Sequence, residues 1–280
     1  MLPAGRRKRS AVTAESYPSR VTSDGRTRFL QQVRLGPDSA TGRYPFTLPV
    51  VAWLAGAEAL RLGPGVTFLV GENGTGKSTL LEAVAVAAGF NAEGGSQNFR
   101  FATRATESSL GDHLVLTWGT AKPRTGFFLR AETYYNVATE IERLDRDPGS
   151  PGLLASYGGV SPHERSHGES FLDLVVHRFG PDGLYLLDEP EAALSVRGAL
   201  ALLTRLADLV AQRCQFVVAT HSPVLLALPG ATILQISEDG SVEQVDYDCA
   251  LPVALTRNFL GNPHRFLRHL LGTEDDPRGP

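Results

Sequence analysis

A glycine-rich segment with one lysine and one serine carries the clearest chemistry of the sequence. It spans residues 71–78, reads GENGTGKS and fits the phosphate-binding pattern GxxxxGK(S/T). Glycines allow successive backbone N–H groups to turn toward phosphate oxygens, Lys77 would meet the β- and γ-phosphates, and Ser78 offers a hydroxyl to Mg²⁺. The pattern predicts a nucleoside triphosphate site with these contacts: Gly71, Glu72, Asn73, Gly74, Thr75, Gly76, Lys77, Ser78 and Thr79.

Two adjacent carboxylates form the second candidate group. Asp188 and Glu189 follow the apolar run GLYLL at residues 183–187. They would lie where a buried strand ends, which is the edge at which open α/β sheets present ligand-binding groups. In this Walker B pattern Asp188 would hold Mg²⁺, and Glu189 would orient or deprotonate the attacking water. Acids that only cap a strand end are the alternative, and the phosphate-loop pattern upstream disfavours it.

Two further segments contain groups suited to phosphate chemistry. His221 follows the apolar run at residues 215–219, so it should emerge at the same sheet edge and contact the γ-phosphate, although a lone histidine is usually structural. The segment SHGES at residues 166–170 places hydroxyls and a glycine N–H before a predicted helix, which makes either an anion site or an ordinary helix N-cap. The predicted catalytic residues are therefore Lys77, Glu189 and His221.

The segments around these motifs predict the elements that must position them. Apolar runs predict buried strands at residues 66–70, 183–187 and 215–220, and helices are predicted at 79–86, 170–179 and 197–212. This strand and helix alternation predicts a mostly parallel central sheet, and it makes a chance match of a glycine-rich turn at the phosphate loop implausible. Two strand-like runs around residues 238–240 predict a hairpin.

The remaining segments predict smaller structures. Residues 28–35 and 47–54 suggest strands of an N-terminal β layer, and the short strand-like pieces between residues 94 and 129 suggest an antiparallel extension of it. Residues 133–144 have a helical pattern, followed by a loop rich in glycine, serine and histidine up to Gly168. A last amphipathic helix is expected around residues 266–271.

Composition limits the compartment and the partners. The net charge of −3 gives no overall electrostatic argument for nucleic acid or an anionic membrane. Cys214 and Cys249 are isolated, which fits a reducing cytoplasm and packing roles. No apolar run approaches the ~20 residues that cross a bilayer, so we expect a cytoplasmic protein without direct membrane insertion. The polar, structure-poor segment 1–26 predicts a disordered basic tail, with a nucleic-acid arm as the alternative.

The order of the motifs resembles the ATP-binding cassette (ABC) superfamily from about residue 28 to residue 236. Phosphate loop, SHGES, LLDEPEAALS and THSP follow one another as in that superfamily. The segments GENGTGKSTLLEAVAVAAGFNAEGGS, GFFLRAETYYN and SHGESFL resemble more narrowly a group of small stand-alone bacterial AAA/ABC-type ATPases related to the recombination and chromosome-maintenance branch.

The resemblance implies an α/β P-loop NTPase of ABC type, with a mostly parallel central sheet, an N-terminal antiparallel β layer and an inserted helical subdomain. The ATPase domain would span residues 27–250, its helical subdomain about 133–180, and a C-terminal helical extension 251–280. It also implies a homodimer that sandwiches ATP and Mg²⁺. In that dimer Ser166, Gly168 and Glu169 would reach the ATP held on the partner's phosphate loop.

The chain departs from the superfamily pattern at several positions. Where transporters carry a glutamine after the strand entering the helical arm, Arg130 or Glu132 would sense the γ-phosphate. Ser195 replaces the aspartate that usually follows Walker B, and His167 replaces a signature glycine. An aromatic residue that stacks on adenine is expected upstream of the loop. The candidates for it are Tyr44 and Phe46, with a core role as the alternative.

Three functional classes remain to be compared. The favoured one is a soluble ATP-hydrolysing dimeric switch that acts on DNA or on another protein, and Glu191 after the Walker B proline favours it because transporter subunits usually have a small or aromatic residue there. The alternative is the ATP-binding subunit of a transporter whose membrane partner is encoded separately. A kinase or GTPase would share only the phosphate loop, and the sequence has no NKxD guanine-reading motif.

Overall fold

The computed structural model describes residues 27–37, 39, 42–96, 109–132, 134, 139, 143, 145 and 167–271. The strands are β1 (Leu30–Leu35), β2 (Leu60–Arg61), β3 (Val66–Gly71), β4 (Leu114–Trp118), β5 (Thr125–Arg130), β6 (Gly183–Asp188), β7 (Gln215–Ala219), β8 (Thr232–Ile236) and β9 (Val242–Val245). The α-helices are α1 (Pro49–Gly56), α2 (Lys77–Ala87), α3 (His167–Arg178), α4 (Val196–Ala211), α5 (Pro223–Leu226), α6 (Leu251–Gly261) and α7 (Pro263–Leu271).

The central sheet has the strand order β5-β6-β7-β3-β8-β9. All its neighbouring strands are parallel except β9, which pairs antiparallel with β8 in the predicted hairpin. Strands β3, β6 and β7 are buried along their whole length, because helices cover both faces of a parallel sheet and leave no polar face. Their carboxyl ends at Gly71, Asp188 and Ala219 lie side by side. The predicted α/β class with a mostly parallel sheet is confirmed.

Two apolar clusters pack on the opposite faces of this sheet. Alternate β3 residues divide between them: Phe68 belongs to the cluster that contains α3 and α4 residues, and Leu69 belongs to the one that contains α1 and α2 residues. Ser195 is the N-cap of helix α4, and its hydroxyl accepts a hydrogen bond from the Gly198 N–H at 3.2 Å. The serine that replaces the usual aspartate after Walker B therefore caps this helix.

The predicted N-terminal antiparallel layer is present as the three-stranded sheet β2-β1-β4. Both of its pairings are antiparallel, as predicted. The prediction for β5 is wrong, because this strand does not extend the layer but pairs parallel with β6, with Arg130 opposite Asp188. Short apolar strands look alike in the sequence, and tertiary packing decides which neighbour they pair with.

The strand predicted at residues 47–54 is also wrong. This segment forms α1, which begins at Pro49. Proline at a first helical position sets a helical φ and needs no N–H partner, so it starts a helix even in an apolar run that also suits a strand. The backbone N–H of Val50 donates to Thr75 O at 3.1 Å, which fixes the start of α1 against the phosphate loop.

Several predictions concern segments that the structure describes little or not at all. The tail at residues 1–26, the loop at 151–166 and the chain end at 272–280 lie outside the described residues. The division into a domain at 27–250, a helical subdomain at 133–180 and an extension at 251–280 stays a prediction. Within the described part of the chain, none of the helices has the length and apolar character that crossing a bilayer requires.

One buried glutamine joins the two sheets. Gln215 at the start of β7 is fully buried, and its Oε1 accepts hydrogen bonds from the N–H groups of Phe29 and Leu30, both at 2.8 Å. Its Nε2 donates to Leu30 O at 2.8 Å and to Gly63 O at 3.1 Å. A side-chain amide thus satisfies four backbone groups where the N-terminal layer meets the central sheet.

The variant Gln215→Ala is expected to lower the free energy of unfolding by about 3–5 kcal/mol, because it leaves several buried backbone groups without partners. Urea denaturation followed by circular dichroism measures this change. Gln212→Ala is the matched control, because residue 212 is exposed just beyond α4. Equal urea midpoints for the two variants would contradict a joining role for Gln215.

Candidate functional site

The segment between β3 and α2 forms a loop that ends in an uncapped helix start. Gly76 precedes α2 with φ 95°, a left-handed conformation that favours glycine, and a Cβ there would lie 3.1 Å from atoms of Leu48 and Val50. No side chain caps this end of the helix. The first N–H groups of an α-helix have no intrahelical acceptor, so those of Lys77, Ser78 and Thr79 suit an anion.

The loop is braced from two sides. The Thr75 hydroxyl donates to Glu72 O at 2.9 Å, and Thr75 itself is buried against the start of α1. A Cβ on Gly71 would lie 2.5 Å from Ile236 O, so β3 can meet β8 this closely only with glycine at its end. Residues 72–74 remain exposed at the mouth of the loop. The loop therefore has a fixed base and an open face.

Lys77 lies across the base of the loop. Its residue is only 4% exposed, and its Nζ donates to Gly71 O at 2.8 Å and to Glu72 O at 3.0 Å. Burial lowers the pKa of Lys77, while the negative charges of Glu189, Asp188 and two further glutamates oppose this shift. The predicted phosphate-binding lysine and the predicted Walker B acids thus act on one another electrostatically across the sheet edge.

Asp188 ends β6 next to the loop and has an unused oxygen. Burial raises the pKa of Asp188 to about 6, although Arg130 and a hydrogen bond with the Ser78 hydroxyl act in the opposite direction. Its Oδ1 is buried and has no hydrogen-bond partner within the described structure. A serine hydroxyl and a carboxylate are the hard oxygen ligands that Mg²⁺ takes from a protein when phosphates and water supply the rest. The two residues therefore fit the predicted metal.

The described residues give no sign of a metal site formed by protein side chains alone. Across the described ranges, no group of three or more His, Cys, Asp or Glu side chains is arranged to hold a metal ion.

Glu189 and His221 lie together beyond the ends of β6 and β7. The Glu189 Oε1 is 3.6 Å from the His221 Nε2, and the side chains are 39% and 36% exposed. Glu189 has φ 47° and ψ 51°, a left-handed conformation that is uncommon for a residue with a side chain. Its N–H donates to Ala219 O at 2.9 Å, which holds this conformation against β7. Both predicted catalytic side chains are partly exposed at the same edge as Lys77, although the His221 Nε2 atom itself is buried and has no hydrogen-bond partner in the described structure.

Glu191 has a positioning role that the sequence does not show. Its Oε1 accepts a hydrogen bond from the backbone N–H of His221 at 2.5 Å, and its buried Oε2 has no hydrogen-bond partner in the described structure. This contact ties the segment after β6 to the segment after β7.

The predicted signature segment is described only in part. Ser166 lies outside the described residues, and His167 begins α3. A Cβ on Gly168 would lie 2.8 Å from Ala193 O, so this end of α3 packs closely on the segment after Glu189, while Glu169 is exposed. The contact of Ser166, Gly168 and Glu169 with a partner's nucleotide stays a prediction.

The structure separates two pairs of alternatives. Phe46 is buried and meets His113 edge to face with ring centroids 5.1 Å apart, which is a core role, whereas Tyr44 is 67% exposed and remains the candidate for adenine stacking. The Glu132 side chain is 83% exposed, whereas Arg130 is 17% exposed and its Nε lies 3.2 Å from Asp188 Oδ2. Of these two residues, Arg130 is the one at the site.

The variant Asp188→Asn is expected to stabilise the metal-free protein above pH 7. The pKa of Asp188 rises from 3.8 to about 6, so keeping this carboxylate ionised costs the folded state about 3 kcal/mol. Proton binding to Asp188 stabilises the folded protein relative to the unfolded one. This stabilisation is present in full below about pH 4 and is lost as the pH rises through 6.

Thermal unfolding in EDTA tests this expectation. The melting temperature of Asp188→Asn should exceed that of the wild type at pH 8, and the difference should shrink toward pH 5. A variant that is less stable than the wild type at pH 8 would contradict the assigned effect of burial.

Two family models match the sequence. An AAA domain model covers residues 52–143, which include the phosphate loop. A second AAA domain model, described further as a candidate AbiEii toxin of a Type IV TA system, covers residues 156–227, which include Asp188, Glu189 and His221. The chain is a P-loop NTPase of the AAA type. The two matched segments of this NTPase contain the two halves of the site that the fold brings together.

Comparisons of this P-loop NTPase with individual proteins gave more distant results. A comparison with curated proteins found no match. The SMC head domain from Thermotoga maritima is 16% identical, with 78% of this chain and 99% of that chain covered and a TM-score of 0.42. A candidate metal-chelate type ABC transporter in an inward-facing conformation is 16% identical, with 84% and 89% covered and a TM-score of 0.47. An SMC head bound to the C-terminal winged-helix domain of ScpA is 14% identical, with 78% and 97% covered and a TM-score of 0.44.

Proposed function

We propose that this NTPase binds ATP with Mg²⁺, hydrolyses it and works as an ATP-dependent dimeric switch on DNA or on another protein. The observation that carries the proposal is the convergence of Lys77, Asp188 and the Glu189–His221 pair at the carboxyl ends of three neighbouring strands. These groups supply phosphate binding, metal binding and water activation at one edge of the sheet.

Each residue has a separate task in this proposal. The N–H groups at the start of α2 and the ammonium of Lys77 bind the phosphates, and Ser78 and Asp188 hold Mg²⁺, which neutralises phosphate charge when bound. Glu189 orients the attacking water and accepts its proton, and His221 donates a hydrogen bond to the γ-phosphate. Glu191 holds the backbone of His221 close to Glu189 by accepting a hydrogen bond from the His221 N–H.

Dimer formation would complete the site. The side chains of Glu189 and His221 are both partly exposed, so a second subunit can close over them. We propose that Ser166, Gly168 and Glu169 of one subunit bind the ATP held by the other, with Glu169 exposed at the start of α3. ATP would then favour the joined state because both subunits contact it, and hydrolysis would release them.

We also propose a cytoplasmic location. Both cysteines of the chain are free thiols, with Cys214 buried and Cys249 exposed. An exposed free thiol persists most readily in a reducing compartment.

The test uses the purified wild-type protein. Phosphate release should depend on ATP and Mg²⁺, and light scattering should detect a larger dimer fraction with ATP than with ADP. Added duplex DNA distinguishes the two target classes, because a DNA-directed switch should hydrolyse ATP faster in its presence. Absence of turnover above background at saturating ATP would contradict the proposed activity.

A further inference from the structure

Arg130 lies between the buried carboxylate of Asp188 and the partly buried carboxylate of Glu82 at the edge of the proposed metal site. It ends β5 and is the register partner of Asp188 on β6. Its Nη1 is 2.6 Å from Glu82 Oε2, and its Nε is 3.2 Å from Asp188 Oδ2. The side chains of Arg130, Glu82 and Asp188 are 17%, 14% and 7% exposed, so water screens their charges weakly.

Glu82 connects this cluster to the phosphate loop. It belongs to α2, as does Ser78 one helical turn earlier, so the two side chains share a helix face. Arg130 therefore links the helix that follows the loop to the strand that ends in Asp188. The guanidinium already neutralises the carboxylate that would ligate Mg²⁺. The contact with Asp188 is an ion pair without hydrogen-bond geometry, because the Arg130 Nε has no hydrogen-bond partner in the described structure.

We propose that Arg130 is a resident counter-cation at Asp188 that makes metal binding depend on the triphosphate. A divalent cation placed beside a weakly screened guanidinium is strongly repelled. Without nucleotide, the acids around Arg130 are the largely buried Glu82 and Asp188 and the exposed Glu132, whose Oε2 is 3.9 Å from the Arg130 Nη2. The negative charge of a triphosphate relieves this repulsion. With the triphosphate bound, Glu82 keeps its ion pair with Arg130 while Asp188 ligates the metal ion. The inference rests on the proposed function for the role of Asp188 as a metal ligand.

The test measures Mn²⁺ binding to the nucleotide-free protein by electron paramagnetic resonance. Arg130→Gln should bind Mn²⁺ at least about tenfold more tightly than the wild type, because the repelling charge is gone. Arg130→Lys should resemble the wild type, because it keeps the charge. Arg61→Gln is the matched control, with an exposed side chain on β2, and should leave Mn²⁺ affinity unchanged.

Two further variants keep the proposal falsifiable. The gain in Arg130→Gln should disappear when it is combined with Asp188→Asn, and a persisting gain would place the ion elsewhere and overturn the proposal. Glu82→Gln keeps Arg130 and leaves Asp188 as its one buried partner in the cluster, so Mn²⁺ affinity should fall at least about threefold. Tighter Mn²⁺ binding by Glu82→Gln, or unchanged binding by Arg130→Gln, would overturn it. Because no nucleotide is present, absence of ATP hydrolysis leaves this test intact.

Discussion

Replacing Glu189 by glutamine is expected to lower ATP turnover by about 100- to 1,000-fold, because the amide cannot accept a proton from the attacking water. ATP affinity should stay within about threefold of the wild type, since the carboxylate is not among the phosphate-binding groups. The side chain keeps its size, and the left-handed backbone at residue 189 stays held by the hydrogen bond to Ala219. Phosphate release at saturating ATP measures the loss.

The same variant should accumulate as a dimer when ATP is present. If hydrolysis releases the two subunits, blocking it leaves them joined, and light scattering should show a larger dimer fraction with ATP than the wild type shows. Glu238→Gln, an exposed residue in the β8–β9 turn, is the matched control and should behave as the wild type. A Glu189→Gln protein that remains monomeric at saturating ATP would exclude the dimeric switch.

The phosphate loop and its neighbours are predictable because local chemistry determines them. A glycine pattern between an apolar run and a helix leaves few alternatives, and β3, the loop and α2 appear where the sequence places them. The continuous apolar runs of β6 and β7 likewise require burial on both faces of a parallel sheet. These local constraints bring Asp188, Glu189 and His221 to one edge without any knowledge of their contacts.

The parts that were not predicted depend on contacts between distant segments. Strand β5 reads like β4, the preceding strand of the antiparallel layer, and only packing decides that β5 pairs with β6. Gln215 looks like the polar start of a strand, yet it satisfies backbone groups 152 to 186 residues away. Glu191 differs from the other acids of its segment only through a hydrogen bond to His221. Such roles follow from tertiary geometry, which residue types and spacing do not encode.

Arg130 shows how a departure from a pattern becomes interpretable once the contacts are known. The sequence left Arg130 and Glu132 as equal candidates for a γ-phosphate sensor. The structure leaves the Glu132 side chain 83% exposed, with only a 3.9 Å contact to Arg130, and it places Arg130 between Glu82 and Asp188. A residue that was expected to contact substrate is thus bound to the acid that would ligate the metal. The difference matters because it moves the expected effect of Arg130 from ATP recognition to metal affinity.

The largest expected effect on nucleotide binding comes from Lys77→Ala. Its ammonium is buried at the base of the loop, where a charge-assisted hydrogen bond to a phosphate is weakly screened. Removing it should weaken ATP binding by about 100-fold, or roughly 3 kcal/mol. Thermal unfolding of Lys77→Ala checks that the variant is folded, because the substitution also removes the Nζ hydrogen bonds to Gly71 O and Glu72 O. Isothermal titration with ATP and Mg²⁺ measures the affinity.

Lys122→Ala provides the matched control for this measurement. Lys122 is exposed between β4 and β5 and carries the same charge, so its loss tests whether a general change in surface charge alters ATP affinity. A fall of about 100-fold in Lys77→Ala alone would locate the phosphates at the start of α2, where the uncapped N–H groups lie. A fall of less than about threefold would mean that ATP binds elsewhere, since no bound triphosphate could avoid a lysine at the base of its loop.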